Sequence, residues 1–221
     1  MDSSLIQTFA VYALPVLFAI TLHEAAHGYV AKLFGDNTAY VLGRVSLNPL
    51  RHVDPIGTIA VPLLLYFLTG GQFVFGYAKP VPVAFDRLRN PRWHGMWVAL
   101  AGPGSNVAQA FLWALMALGL LMAHVQEPFF VEMARAGVLV NLVVAAFNLF
   151  PVPPLDGGRV LTALLPQRIA YAVARIEPYG IFIVLALVAA GVITQVWMRP
   201  VVNLLSSLVE LMLRPLLALI H

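Results

Sequence analysis

The sequence contains no cysteine, and only 23 of its 221 residues are charged: 13 lysines and arginines and 10 acidic residues. The first absence excludes disulfides, thiolate metal sites and a cysteine nucleophile. Any bound metal must then be held by histidine and carboxylate. The second excludes an ordinary soluble domain, in which about a quarter of the residues are charged. No polar stretch is long enough to fold as a separate soluble domain. A basic leader and a small-residue cleavage site are both missing before residue 22, so residues 1–22 read as retained membrane helix. What is present is apolar: 61% of the residues are hydrophobic. The chain reads as a single integral membrane unit, 1–221, with a core over 4–160 and two further membrane helices within 168–221.

The expected fold is an all-α polytopic membrane protein with five to six transmembrane helices, a re-entrant segment and a small membrane-associated β-hairpin. Long apolar runs predict helices over about residues 4–34, 93–123 and 131–150, then shorter ones over 178–197 and 201–220, divided by Arg199 and Pro200. Residues 41–47 have the composition of a short strand. Residues 56–70 are too short to cross comfortably and carry Pro62, which favours re-entry over a sixth span. Residues 72–85 alternate aromatic, β-branched and small residues with glycine and proline, the pattern of an irregular hairpin. Such a hairpin could dock an extended substrate by strand addition or merely cover the re-entrant segment. Basic residues give the orientation. Lys32, Arg44, Arg51, Lys79, Arg87, Arg89 and Arg92 flank 56–70 on both sides, and Arg159, Arg168 and Arg175 follow the third long run. The stretch 124–132 has Glu127 and Glu132 with no lysine or arginine. The positive-inside rule puts 32–92 and 159–175 in the cytoplasm and 124–132 outside.

The first helix carries His23-Glu24-Ala25-Ala26-His27. Histidines four apart project from one helix face and can share a metal ion at about 2.0–2.1 Å. A glutamate directly after the first histidine is the general base of the H-E-x-x-H hydrolase motif. Ionisable residues on a bilayer-length helix are costly, which favours a functional reading over a chance match. A catalytic zinc takes three protein ligands and leaves one position open. Asp156 is the candidate third ligand. It follows the cytoplasmic end of an out-to-in helix, the level at which His23 and His27 also lie. The neighbouring Pro151, Pro153 and Pro154 stop that helix, and Gly157 and Gly158 permit an unwound approach to the metal.

Together these features resemble the site-2 protease family, the intramembrane zinc metalloproteases, in a short bacterial-type form without PDZ or CBS domain. The resemblance rests on His23 to Gly28, on Ala101-Gly102-Pro103-Gly104-Ser105-Asn106 and on Asn148 through Gly158. It covers residues 20–160 well and the last 50 by hydropathy alone. It implies one Zn2+ per chain held by His23, His27 and Asp156, with Glu24 as catalytic base and Asn148 assisting the substrate carbonyl. It also implies hydrolysis within or near transmembrane segments of membrane proteins, in a bacterial-type plasma (inner) membrane, with the active site near the cytoplasmic side. Expected partners are a transmembrane or membrane-associated protein substrate and membrane lipid, with homo-oligomerisation open and no nucleic acid. A membrane metal transporter or sensor could use the same two histidines and aspartate, but it would not need Glu24. Asn106 leans towards a helix-packing role over one at the site. Gly102, Gly104, Gly157 and Gly158 read as packing and turn glycines, and His52, beside Asp54, as a surface or outer-sphere histidine.

Overall fold

The computed structural model describes residues 3–52, 54, 57, 60, 64, 67 and 79–218, with the backbone alone at 3–5. It is helical: α1 (Ser3–Leu33), the single turn α2 (Thr38–Val41), α3 (Pro91–Met122), α4 (Pro128–Asn148), α5 (Asp156–Leu164), α6 (Gln167–Ala174), α7 (Glu177–Ala189) and α8 (Arg199–Leu217). A π-helical stretch, Ile193–Met198, runs directly into α8. Among the described residues, four helical segments are long and apolar enough to cross a membrane: Ile6–Leu33, Pro91–Met122, Pro128–Asn148 and Ile193–Leu217. The α6–α7 pair, bent by 71°, makes a fifth if taken as one span.

Local signals explain the ends. Gly35, at φ +112°, closes α1: its N–H bonds Lys32 O at 3.2 Å and that of Asp36 bonds Ala31 O at 3.0 Å, a glycine cap of the Schellman type. Asn90 opens α3, its side chain accepting from Trp93 N at 3.2 Å, with Pro91 at the first helical position. Small residues line the helix contacts. Ala19, Ala99, Ala110, Ala145 and Ala146 are buried, and a Cβ on Gly137 of α4 would stand 2.2 Å from the Trp113 ring of α3. Side chains this small let helices approach closely where lipid supplies no hydrophobic drive.

Several expectations need correction. Residues 41–47 are not a strand: Val41 ends α2, and Gly43 turns the chain at φ +64°. The expected hairpin at 72–85 lies outside the described residues at 72–78, and no strand forms anywhere among the described residues. Its remaining part, 79–84, is an irregular strap. The re-entrant reading of 56–70 also lies largely outside the described residues. The break near the end falls at Gly191 (φ +71°), not at Arg199 and Pro200. Pro200 is tolerated because it enters in the first turn of α8, where a missing N–H costs little. Finally, Gly157 and Gly158 are not unwound but lie inside α5.

The strap 79–84 is tied down at every turn. Lys79 N donates to His52 O at 2.9 Å, and Arg44 donates to Lys79 O at 2.8 Å. Ala84 N donates to the buried Asp36 at 2.7 Å. Burial opposes charge on Asp36, but the hydroxyl and N–H of Thr38 and the N–H of Ala84 outweigh it and hold its carboxyl below the usual carboxylate range.

Candidate metal centre

Three elements converge on one point. α1 brings His23 and His27, one turn apart, and their rings meet edge to face with centroids 4.7 Å apart. α5 brings Asp156 at its first residue, an acidic side chain well placed at a helix N-terminus. α3 closes the third side with Gly102. The separations are 3.1 Å between His23 Nε2 and His27 Nε2, 3.2 Å from His23 Nε2 to Asp156 Oδ2, and 3.4 Å from His27 Nε2 to the same oxygen. Two ligands each 2.0–2.1 Å from a tetrahedral zinc lie about 3.3 Å apart. The spacing is that of a zinc triad.

The hydrogen-bond network explains why these atoms need a cation. His27 Nδ1 donates to Val98 O at 2.7 Å. His23 Nδ1 lies 2.6 Å from Asn106 Oδ1. The Asn106 orientation follows from its other end, where Nδ2 donates to Ala19 O at 3.0 Å and to Asn141 Oδ1 at 2.9 Å. Asn106 Oδ1 can therefore only accept, so His23 carries its proton on Nδ1. Both Nε2 atoms are left as lone pairs aimed at each other and at a carboxylate oxygen. Asp156 Oδ2 is buried and receives no hydrogen bond. Three converging acceptors without a donor are electrostatically unfavourable until a metal ion joins them, so the donor set fits zinc.

Glycines set the tolerances. A Cβ on Gly102 would lie 2.5 Å from His27 Nε2 and 2.6 Å from His23 Nε2, so α3 presses bare backbone against the ligand atoms. A Cβ on Gly157 would lie 2.0 Å from Leu149 O, and one on Gly158 2.2 Å from Pro153 N. These contacts fold α5 back on the proline loop and deliver Asp156 to the histidines. Gly180 of α7 supports the same loop, where a Cβ would meet Pro153 O at 1.7 Å.

Glu24 is half-buried beside the triad, and its Oε2 accepts from Val81 N at 2.7 Å. The strap thus grips the carboxylate. Asn148 is partly buried at the end of α4 and spends one amide hydrogen on Val144 O, at 3.0 Å, keeping a second. His52 is buried rather than on the surface. Its Nε2 bonds Ser46 O at 2.9 Å, which ties it to the loop, and it is not part of the His23, His27 and Asp156 group. Asp54 accepts from Gly57 N at 2.7 Å. Sequence reasoning undervalued Gly102 and Asn106 and passed over Asn141 and Val81. The signal available for Asn141 was a polar residue inside an apolar span, seven before Asn148. Val81 offered none, because its contribution is a backbone N–H.

The model of peptidase family M50 matches residues 122–191. The Bacillus subtilis protein named "Putative zinc metalloprotease YwhC" is 37% identical over 183 residues, 78% of this chain and 77% of its own. Rip2 of Mycolicibacterium smegmatis, named in the same terms, is 31% identical over 174 residues, covering 77% of this chain and 63% of its own. Zinc metalloprotease MJ0392 of Methanocaldococcus jannaschii is 24% identical over 168 residues, 74% of this chain but 37% of its own. No solved structure matches the chain. With a relative this similar along most of both chains, the protein belongs to peptidase family M50, the site-2 protease family of zinc metalloproteases.

Proposed function

We propose that the protein is an intramembrane endopeptidase that cleaves peptide bonds in or near membrane-spanning segments of other proteins. One observation carries this reading: a zinc-spaced set of lone pairs, with a carboxylate beside it, on a helix long enough to cross a bilayer. His27 lies six residues before the end of α1, about 9 Å along the helix axis. Under the positive-inside orientation the site is near the cytoplasmic face of a bacterial-type plasma membrane, and the whole chain works as one membrane domain. A protein fed from the bilayer, and the surrounding lipid, are then its natural partners.

His23, His27 and Asp156 would hold a zinc ion. The chemistry a zinc ion would supply there is Lewis acidity, which would make a water more acidic and polarise a carbonyl. Glu24 accepts the proton that the attacking water loses and returns it to the leaving amine nitrogen as the C–N bond breaks. Val81 N–H keeps the carboxylate turned to that task. Asn148 offers its second amide hydrogen to the carbonyl oxygen as charge develops there. The Asn106–Asn141 pair keeps the His23 lone pair on target throughout.

The test is cleavage of a membrane-spanning peptide and of its soluble flanking sequence by the zinc-loaded protein in liposomes, wild type against Glu24→Gln. The proposal expects the spanning peptide to be cut by wild type alone. Equal cleavage by both proteins would refute the role of Glu24, and cleavage of the soluble peptide alone would refute the intramembrane substrate.

A further inference from the structure

The segment that ends in α8 carries a second polar feature unconnected to the metal. Its inner face, Val202, Leu205, Val209 and Leu213, packs with Ala110 of α3 and Leu142 of α4. Trp197, just before α8, donates to Ala146 O of α4 at 2.8 Å, so α8 climbs along the bundle from the end of α4 nearest the site. Beside that inner face runs a stripe of Asn203, Ser207, Glu210 and Arg214, all four exposed.

Their spacing is four, three and four residues, the a/d seam along which two helices wrap. Their depth makes the exposure costly. Taken as a span, the 25-residue segment Ile193–Leu217, long and apolar enough to cross a membrane, has its midpoint near residue 205. At 1.5 Å per residue Asn203 and Ser207 lie about 3 Å from the centre, Glu210 about 8 Å and Arg214 about 14 Å, all within a hydrocarbon half-thickness of about 15 Å. Ser207 bonds back to Asn203 O at 2.9 Å, and Ser206 reaches Glu210 only at 3.5 Å. Among the described residues neither Glu210 nor Arg214 has an ion-pair partner. Polar groups that face lipid at this depth call for a partner helix.

We propose that the partner is a second copy of this chain, with α8 packed against α8 in parallel, as two copies inserted in one orientation must pack. The seam is self-complementary. At one level Asn203 meets Asn203, and each amide both donates and accepts. Above it, Ser207 meets Ser207. In the same register Glu210 faces Glu210 and Arg214 faces Arg214, and the long guanidinium of each copy reaches diagonally, one turn along the seam, to the carboxylate of the other, which offsets the like-charge contacts. An ordinary apolar substrate helix would leave the Asn203 amide and the Glu210 and Arg214 charges without a complementary group. The proposal does not depend on proteolytic activity, since the seam lies apart from the residues that form the metal site.

The absence of cysteine makes the test clean. Single substitutions Asn203→Cys, Ser207→Cys and Arg214→Cys, each in the full chain in liposomes, are expected to form disulfide-linked dimers on mild oxidation. Leu204→Cys, Leu208→Cys and Leu211→Cys, on the neighbouring lipid-facing side, are expected to stay monomeric. Counting fluorophore bleaching steps in dilute liposomes gives an independent readout: pairs for wild type, and a roughly tenfold weaker association for Asn203→Leu combined with Glu210→Leu. Equal cross-linking on both faces, no cross-linking on either, or single bleaching steps for wild type would overturn the proposal. So would a seam that cross-links in cells only to a different protein.

Discussion

Two amides lie buried on α3, one turn apart, and fare differently. Asn106 is fully buried and satisfied in every direction, by Ala19, Asn141 and the imidazole of His23. Gln109 is almost as buried, and both its amide nitrogen and its oxygen lack a partner. A buried polar group is costly unless bonded, and a complete network repays the cost with rigidity. Asn106 turns that rigidity into a fixed histidine tautomer at the candidate metal centre. Gln109 gains nothing visible, so burial alone does not mark a functional amide. What marks it is a bond to a candidate metal ligand.

Substitutions along α3 should sharpen this contrast. Gly102→Ala is expected to have the largest effect: a methyl group about 2.5 Å from the ligand nitrogens displaces the imidazoles, and zinc content of the purified protein should fall to near zero. Asn106→Leu leaves the His23 Nδ1–H and Asn141 Oδ1 without partners and removes the side-chain bond to Ala19 O, which keeps its helical partner. Zinc affinity, read by chelator competition, should drop roughly 10–100-fold, the usual cost of losing a bond that orients a metal ligand. Asn141→Leu acts one step further out, because Asn106 keeps Ala19; its effect should be no more than about the tenfold lower end of that range. Gln109→Met should leave zinc affinity unchanged and be neutral or stabilising by up to about 1–2 kcal/mol in denaturant unfolding, since it removes a buried amide that bonds to nothing. Equal losses of zinc from Gln109→Met and Asn106→Leu would break the comparison.

A smaller effect tests the strap by pH. Asp36 has a depressed folded-state pKa, so its contribution is complete above the unfolded value of about 3.9 and is lost as pH falls through the folded one. The stability difference between wild type and Asp36→Asn should therefore shrink on acidification below pH 4. A difference that persists unchanged into strong acid would remove Asp36 as the pin on Ala84.

Much of this was legible from residues alone because it is local. Apolar run length gave α1, α3 and α4 to within a few residues, and the i, i+4 histidines needed only helical geometry to be paired. Asp156 followed from charge bias, which counts sides of a membrane without any contact. The misreadings have different causes. Gly157 and Gly158 look like helix breakers until Leu149 and Pro153 are packed against them, where only glycine fits. Residues 41–47 suit a strand by composition, yet they follow an Asp36–Thr38 Asx turn that leads into the single helical turn of α2. The division near the end was assigned to Pro200, but a helix accepts proline in its first turn, and the positive φ of Gly191 makes the break. Val81 reaches Glu24 across 57 residues through its backbone, which no side-chain pattern records.

The most direct test is zinc-edge X-ray absorption on the purified wild-type protein, with Asp156→Ala beside it. The account predicts one zinc with two imidazole nitrogens and a carboxylate oxygen at about 2.0–2.1 Å, and loss of that oxygen in the variant. A zinc shell with one imidazole or none, or a spectrum unchanged by Asp156→Ala, would contradict it.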